Sequence, residues 1–251
     1  MTDLIPVVNL PPQTHSSLQV FDLCPRQYDA KYRTKTVKFQ QSYDGWWGDL
    51  GHKSLETYIK ANGNYQFPDQ THEQNGENIR NYQWIGESLL HRAKERGGYV
   101  LSERKFAIDH DRSTGDYWDK KTWLRGMIDV TIIYPKLREA EVYDLKLGKK
   151  KEDTLQVDLY SVSAMLDYTE VDKVKAGYIW AKLGPNKAVD KPLVYTRDSI
   201  QPILNTFAAK TEEVKHAWAT GNFPPRPNNL CPWCDVGTAC EFWKPKPEKR
   251  R

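Results

Sequence analysis

LRGMIDVTII (Leu124–Ile133) and DLKLG (Asp144–Gly148) are the two stretches on which the fold turns. The first is rich in β-branched residues and reads as a strand carrying Asp129, within a strand expected over 123–134. The second belongs to a shorter strand over 141–147, ended by Gly148. Fourteen residues lie between Asp129 and Asp144, and a hairpin joining the two strands would bring both carboxylates to one end of a sheet. In Asp144-Leu145-Lys146 the two-residue period of a strand places Asp144 and Lys146 on one face and turns Leu145 into the core. Gly126, ahead of Asp129, reads as relief from crowding where a substrate backbone would approach.

Outward from this pair the periodicity alternates between helix and strand. Towards the N-terminus, Tyr99 to Ile108 alternates as a further strand and carries Glu103. Before it, helices are expected after Ser16 or Ser17 with serine as N-cap, over 47–61, and over about 76–96, the last stopped by Gly97-Gly98. Pro6, Pro11 and Pro12 make 1–15 an extended arm. Towards the C-terminus, 155–168 returns to helical spacing, 173–182 and 192–196 read as strands, and an amphipathic helix runs from Ile200 through Trp218. The expectation is an α/β (α+β) fold with a mixed central sheet flanked by helices. It forms one domain over 1–251: a helical part (1–98), a core (99–198), and a final helix with a cysteine cluster (199–251).

Composition narrows the function. No apolar run of about 20 residues is present to span a bilayer, and the first residues lack a signal-peptide pattern, so a cytoplasmic protein is expected. The net charge of +4 is modest, but Lys146, Lys149, Lys150 and Lys151 crowd one stretch and the chain ends KPKPEKRR, runs that attract a phosphate backbone. Nine Trp and fourteen Tyr offer surfaces on which unpaired bases could stack. Carboxylates beside a lysine suit phosphodiester hydrolysis. Two or three acids can hold Mg²⁺ or Mn²⁺, the ion polarises phosphate and acidifies a bound water, and the lysine orients that water and stabilises developing charge.

Taken together, these motifs resemble the PD-(D/E)XK nuclease superfamily, in particular its RecB- and AddB-like branch and the related CRISPR-associated exonucleases. SSLQVFDLCPRQYDAKY resembles the branch's entry helix, and GHKSLETYI the motif whose histidine, here His52, ligates metal. Glu103 falls where relatives carry an acid. GMIDV and DLKLG match the core motifs, which implies Asp129 and Asp144 as metal ligands and Lys146 as the catalytic lysine within a restriction-endonuclease-like core. LQVDLY matches a Gln-x-x-x-Tyr motif through Gln156 and Tyr160, which share a helix face at i and i+4. The resemblance implies a divalent-metal-dependent DNA nuclease, an exonuclease on single strands or ends, serving recombination, repair or phage DNA processing. LGKKK lacks a Walker A frame, so unwinding would need a helicase, recombinase or integrase partner. The rival reading is a nucleic-acid-binding module that does not cut.

Four cysteines remain. Cys24 is alone, and Cys231, Cys234 and Cys240 follow a C-x2-C-x5-C pattern. Grouped thiols of this kind suggest a metal site, and ligation by four cysteines suits either zinc or an iron–sulfur cluster. The resemblance implies the cluster: relatives hold [4Fe–4S] with one early and three late cysteines, a structural staple between the chain's ends.

Overall fold

The computed structural model describes residues 10–38, 40–148, 150, 153–188 and 191–243. Its helices are α1 (His15–Leu23), α2 (Pro25–Tyr28), α3 (Tyr43–Lys60), α4 (Trp84–Glu95), α5 (Leu155–Asp167) and α6 (Ile200–Thr220). Its strands are β1 (Tyr99–Asp109), β2 (Thr122–Tyr134), β3 (Glu139–Lys146), β4 (Lys173–Trp180) and β5 (Leu193–Thr196), forming one mixed sheet in the order β1-β2-β3-β4-β5. Neighbours are antiparallel except β3 and β4, which run parallel. A parallel pair cannot be closed by a hairpin, and α5 supplies the crossover. The expected domain over 1–251 is built as two compact units, one of 41–205 and one of 1–40 with 206–251.

In the unit of 41–205, α3 and α4 cover one face of the sheet. Leu55, Tyr58, Ile59, Ile85 and Leu89 from the helices share a core with Val130, Ile132, Tyr143 and Leu145 from the strands. α5 lies on the other face, where Tyr160 meets Phe106 edge-on at 6.0 Å between ring centroids. Burying about a dozen large apolar side chains between such layers is the main stabilising force. The buried Glu141 does not disturb it, because Arg92, Arg96 and the Tyr143 hydroxyl all bond to its carboxylate.

In the other unit, Tyr28 packs edge-on against Phe21 at 5.3 Å and stacks on Phe223 at 6.3 Å, while its hydroxyl donates to Gln13 Oε1 at 2.9 Å. Lys210 and Asp22 pair, as do Lys31 and Asp235 at 2.7 Å. These contacts hold the first helices to the chain's C-terminal segment within that unit.

Three sequence expectations change. α1 starts at His15 and is capped by Thr14, which forms a reciprocal capping box with Ser17, so neither Ser16 nor Ser17 is the N-cap. The helix expected over 76–96 is a 3-10 turn at Ile79–Tyr82 followed by α4, because Asn78 caps the turn and the Gln83 side chain is drawn off to the Phe67 N–H. Gly126 lies inside β2 opposite Phe106, and an added Cβ would sit 2.7 Å from that ring. Its role is therefore to admit Phe106, and through Phe106 to seat Tyr160. Gly126→Ala should cost about 1–3 kcal/mol by overpacking, read as a lower urea midpoint; an unchanged midpoint would show that the ring gives way freely.

Candidate active site

Register brings the acids into one row. β1 pairs Ser102 with Val130 and Arg104 with Ile128, leaving Glu103 opposite Asp129. β2 and β3 pair from Tyr134–Glu139 to Val130–Tyr143, and the next facing positions are Asp129 and Asp144. There the ladder stops and the strands part. Glu103 adopts φ 51°, the left-handed region that costs a non-glycine residue on the order of 1 kcal/mol or more. Beyond it the strand faces exchange: Val130 belongs to the α3/α4 core, whereas Arg104 reaches Ser163 and Asp167 on α5.

The parting strands leave the backbone of Leu145 without β2 as a partner. Asp129 Oδ2 accepts the Leu145 N–H at 2.7 Å, and the Leu145 carbonyl takes a hydrogen bond from His52 Nε2 at 2.9 Å. A carbonyl can only accept, so Nε2 carries the proton. Nδ1 then faces Asp129 Oδ1, 3.5 Å away. One ligand atom from each of His52, Glu103 and Asp129 lies within 4.8 Å of the others. A ring nitrogen and a carboxylate oxygen turned towards each other beside a second acid fit a cation, and a ring whose other nitrogen bonds a backbone carbonyl is oriented as metal-binding histidines are.

Asp144 is the hub of a second group. Its Oδ1 accepts from Gln156 Nε2 at 2.5 Å and from the Tyr160 hydroxyl at 3.4 Å. Gln156 also donates to the Tyr160 oxygen at 2.8 Å and accepts from Lys146 Nζ at 3.3 Å. Asp144 Oδ2 is buried and takes no hydrogen bond among the described residues; Lys146 Nζ stands 2.6 Å away as an ion pair outside hydrogen-bond geometry. A buried carboxylate oxygen with no hydrogen bond and a lysine ammonium beside it also fits a second cation. Burial, then the neighbouring Asp144, pushes the Asp129 carboxyl from its ordinary 3.8 up to about 7, against the lowering effect of His52. Burial likewise raises the Glu103 carboxyl and holds the Tyr160 phenol well above its ordinary value, keeping it a donor.

Of the residues singled out in the sequence, His52, Glu103 and Asp129 thus meet as one set, and Asp144, Lys146, Gln156 and Tyr160 as the adjoining one. Lys150 is exposed, while Lys149, Lys151 and the basic tail lie outside the described residues. Two contributors escaped the sequence. One is the Leu145 backbone, for which a sequence carries no signal. The other is Tyr178, facing Asp144 across the parallel pair, with Lys146 Nζ 5.7 Å from its ring centroid. The β4 alternation could have revealed Tyr178.

In the other unit all four cysteines line one cavity of about 270 Å³, with Arg26, Lys31 and Arg226 at its wall. The Cys24 sulfur accepts the Arg226 N–H at 3.4 Å and the Cys231 sulfur the Asn228 N–H at 3.2 Å. Burial first, with Cys24, Asp235 and Cys231 adding to it, pushes the Cys234 thiol up. Among the described residues no three of these sulfurs come within 4.8 Å of one another. Backbone donors aimed at sulfur, in a cavity shared by four thiols, fit thiolate ligation of a metal.

A mixed sheet with a carboxylate row where two strands part, and a lysine two residues beyond the last acid, defines a nuclease-like core. Residues 12–241 match the model of the PD-(D/E)XK nuclease superfamily, and the chain belongs to that superfamily. Among solved structures it is similar to SSO0001, at 14% identity and a TM-score of 0.46 over 95% of this chain and 90% of that one. It is also similar to a protein designated "Putative exonuclease" from Eubacterium rectale, at 13% identity and a TM-score of 0.46 over 89% and 86%. Likenesses this distant carry no argument about activity. No curated protein matches the chain. Among the described residues no helix is long and apolar enough to cross a membrane.

The raised Asp129 carboxyl has a consequence for stability. Below about pH 4 the group is protonated in both folded and unfolded chains. As pH rises the unfolded chain ionises there first, so folding stability falls until about pH 7 and then levels. With EDTA present, Asp129→Asn should melt above the wild type at about pH 8, and the gap should close towards about pH 4. Thermal unfolding across that range measures it, and a gap independent of pH would contradict the burial argument.

Proposed function

We propose that the protein is a divalent-metal-dependent DNA nuclease of the RecB/AddB-like branch, an exonuclease on single strands or DNA ends, acting in recombination, repair or phage DNA processing. The observation that carries this reading is the convergence of His52 Nδ1, Glu103 and Asp129 beside the orphaned Oδ2 of Asp144. His52, Asp129 and Asp144 would hold Mg²⁺ or Mn²⁺, with Glu103 assisting. When bound, the ion neutralises phosphate charge and lowers the pKa of water.

The chain's own residues do the rest. Gln156 and Tyr160 fix Asp144 through Oδ1, which turns Oδ2 towards Lys146 and the ion's place. Lys146, whose ammonium stands 2.6 Å from Asp144 Oδ2, would orient the attacking water and stabilise the developing negative charge. Lys149, Lys150 and Lys151 follow directly and draw the DNA backbone in. Opening of duplex DNA falls to a helicase, recombinase or integrase partner. Lys146→Ala should cut the rate on end-labelled DNA by roughly 10²-fold or more with Mg²⁺ or Mn²⁺. Folded wild type that binds DNA but cuts nothing would favour the binding module.

For the cysteines the reading is a structural [4Fe–4S] cluster. The four thiols around one cavity support a metal site, and the pattern of one early and three late cysteines, through its resemblance to relatives, favours the cluster over zinc. The cluster ties Cys24 to the 231–240 segment within its unit. Anaerobically purified protein should be brown, and Cys234→Ala should lose the colour and melt lower. Colourless wild type containing zinc would replace the cluster with the zinc alternative.

A further inference from the structure

Outside the acid row, the distal end of the β1–β2 hairpin carries a cluster that the catalytic reading does not use. Trp118 is 72% exposed, the most exposed large hydrophobic side chain among the described residues, and Tyr117 meets it edge-on at 4.8 Å. Lys105 Nζ lies 5.2 Å from the Tyr117 ring centroid and 5.4 Å from that of Trp118. The Arg125 guanidinium lies 5.0 and 5.4 Å from the same two centroids. Neither cation has a carboxylate partner among the described residues, so their charge is available to an anion.

The loop is built to present these rings. Arg125 donates to the Tyr117 carbonyl at 3.1 Å, and Asp116 Oδ1 accepts the Trp118 N–H at 2.8 Å. Thr122 closes the turn by donating to the Asp116 carbonyl at 2.7 Å. A large apolar ring held out into solvent costs solvation free energy, which a stacking partner would recover.

Position ties the cluster to the acids. Lys105 is two residues past Glu103 on β1, and Arg125 four residues before Asp129 on β2, with the exposed Met127 facing Lys105. At about 3.3 Å per strand residue these lie roughly 7 and 13 Å from the acid row. A stacked strand with about 3.4 Å per nucleotide covers that span in about two to four nucleotides. The bases of a duplex are already stacked on both faces, so an exposed indole flanked by cations suits unpaired bases.

We propose that Trp118, Tyr117, Lys105 and Arg125 form a subsite for single-stranded nucleic acid, stacking a base on Trp118 and holding the adjoining phosphates. The proposal rests on the nuclease reading for its substrate and deepens it: the strand entering the acid row is single. These are positioning residues, and none is assigned a chemical step.

The test uses a fluorescently labelled single strand of mixed sequence and its blunt duplex, with binding read by anisotropy in EDTA and cleavage followed with Mn²⁺. Trp118→Ala should weaken single-strand binding roughly tenfold, Trp118→Phe should recover most of it, and duplex binding should not move. Arg125→Gln should reduce the dependence of log affinity on log salt by about 0.7. In cleavage, Trp118→Ala should raise KM more than it lowers kcat. If wild type cuts and Trp118→Ala binds and cuts single strands equally well, the subsite is overturned and the nuclease reading stands. If wild type cuts nothing yet binds single strands through Trp118, the subsite stands and the nuclease reading falls. Wild type without affinity for single strands overturns the subsite.

Discussion

The backbone of one residue, Leu145, is the constraint on which the site depends. Its side chain is fixed in the core between the sheet and α3, so the chain cannot move to find other partners. Where β2 and β3 part, its N–H and C=O would be stranded in a buried setting, at a cost comparable to a lost hydrogen bond each. Asp129 and His52 take those places. Satisfying the backbone therefore also sets the carboxylate and the imidazole face to face. Orientation of the site and integrity of the sheet are the same set of hydrogen bonds.

That arrangement concentrates negative charge where little water reaches. Asp129 and Asp144 are buried in adjoining positions, and Glu103 joins them through a strained backbone that turns it towards α3. Buried like charges are costly unless countered. The chain counters them partly with Lys146 and partly with the Gln156–Tyr160 pair, and a divalent cation would complete the balance. The same physics explains the cost at Glu103: strain at one residue is tolerated where its neighbours over-determine the conformation.

Much of this was legible in the sequence, and what was not has physical causes. Alternation and β-branching announced β1, β2 and β3, and the two-residue period correctly placed Leu145 inwards and Asp144 with Lys146. The helix between β3 and β4 was legible as helical spacing over 155–168, and the α/β arrangement followed from the alternation of helices and strands. The left-handed turn at Glu103 was invisible, because glutamate has no preference for it and only tertiary packing imposes it. Gly126 was misread because its neighbour Phe106 becomes adjacent only through register. The loop at Tyr117 and Trp118 carries no signal in the sequence, because only the hairpin sets two cations against its rings.

The most direct measurement is anomalous scattering from crystals of the anaerobically prepared protein soaked in Mn²⁺. A peak about 2 Å from His52 Nδ1 and from oxygens of Asp129 and Asp144, with Lys146 displaced from Asp144, is the predicted result. A peak elsewhere, or none while Lys146 keeps its ion pair with Asp144, would contradict a cation site at His52, Asp129 and Asp144.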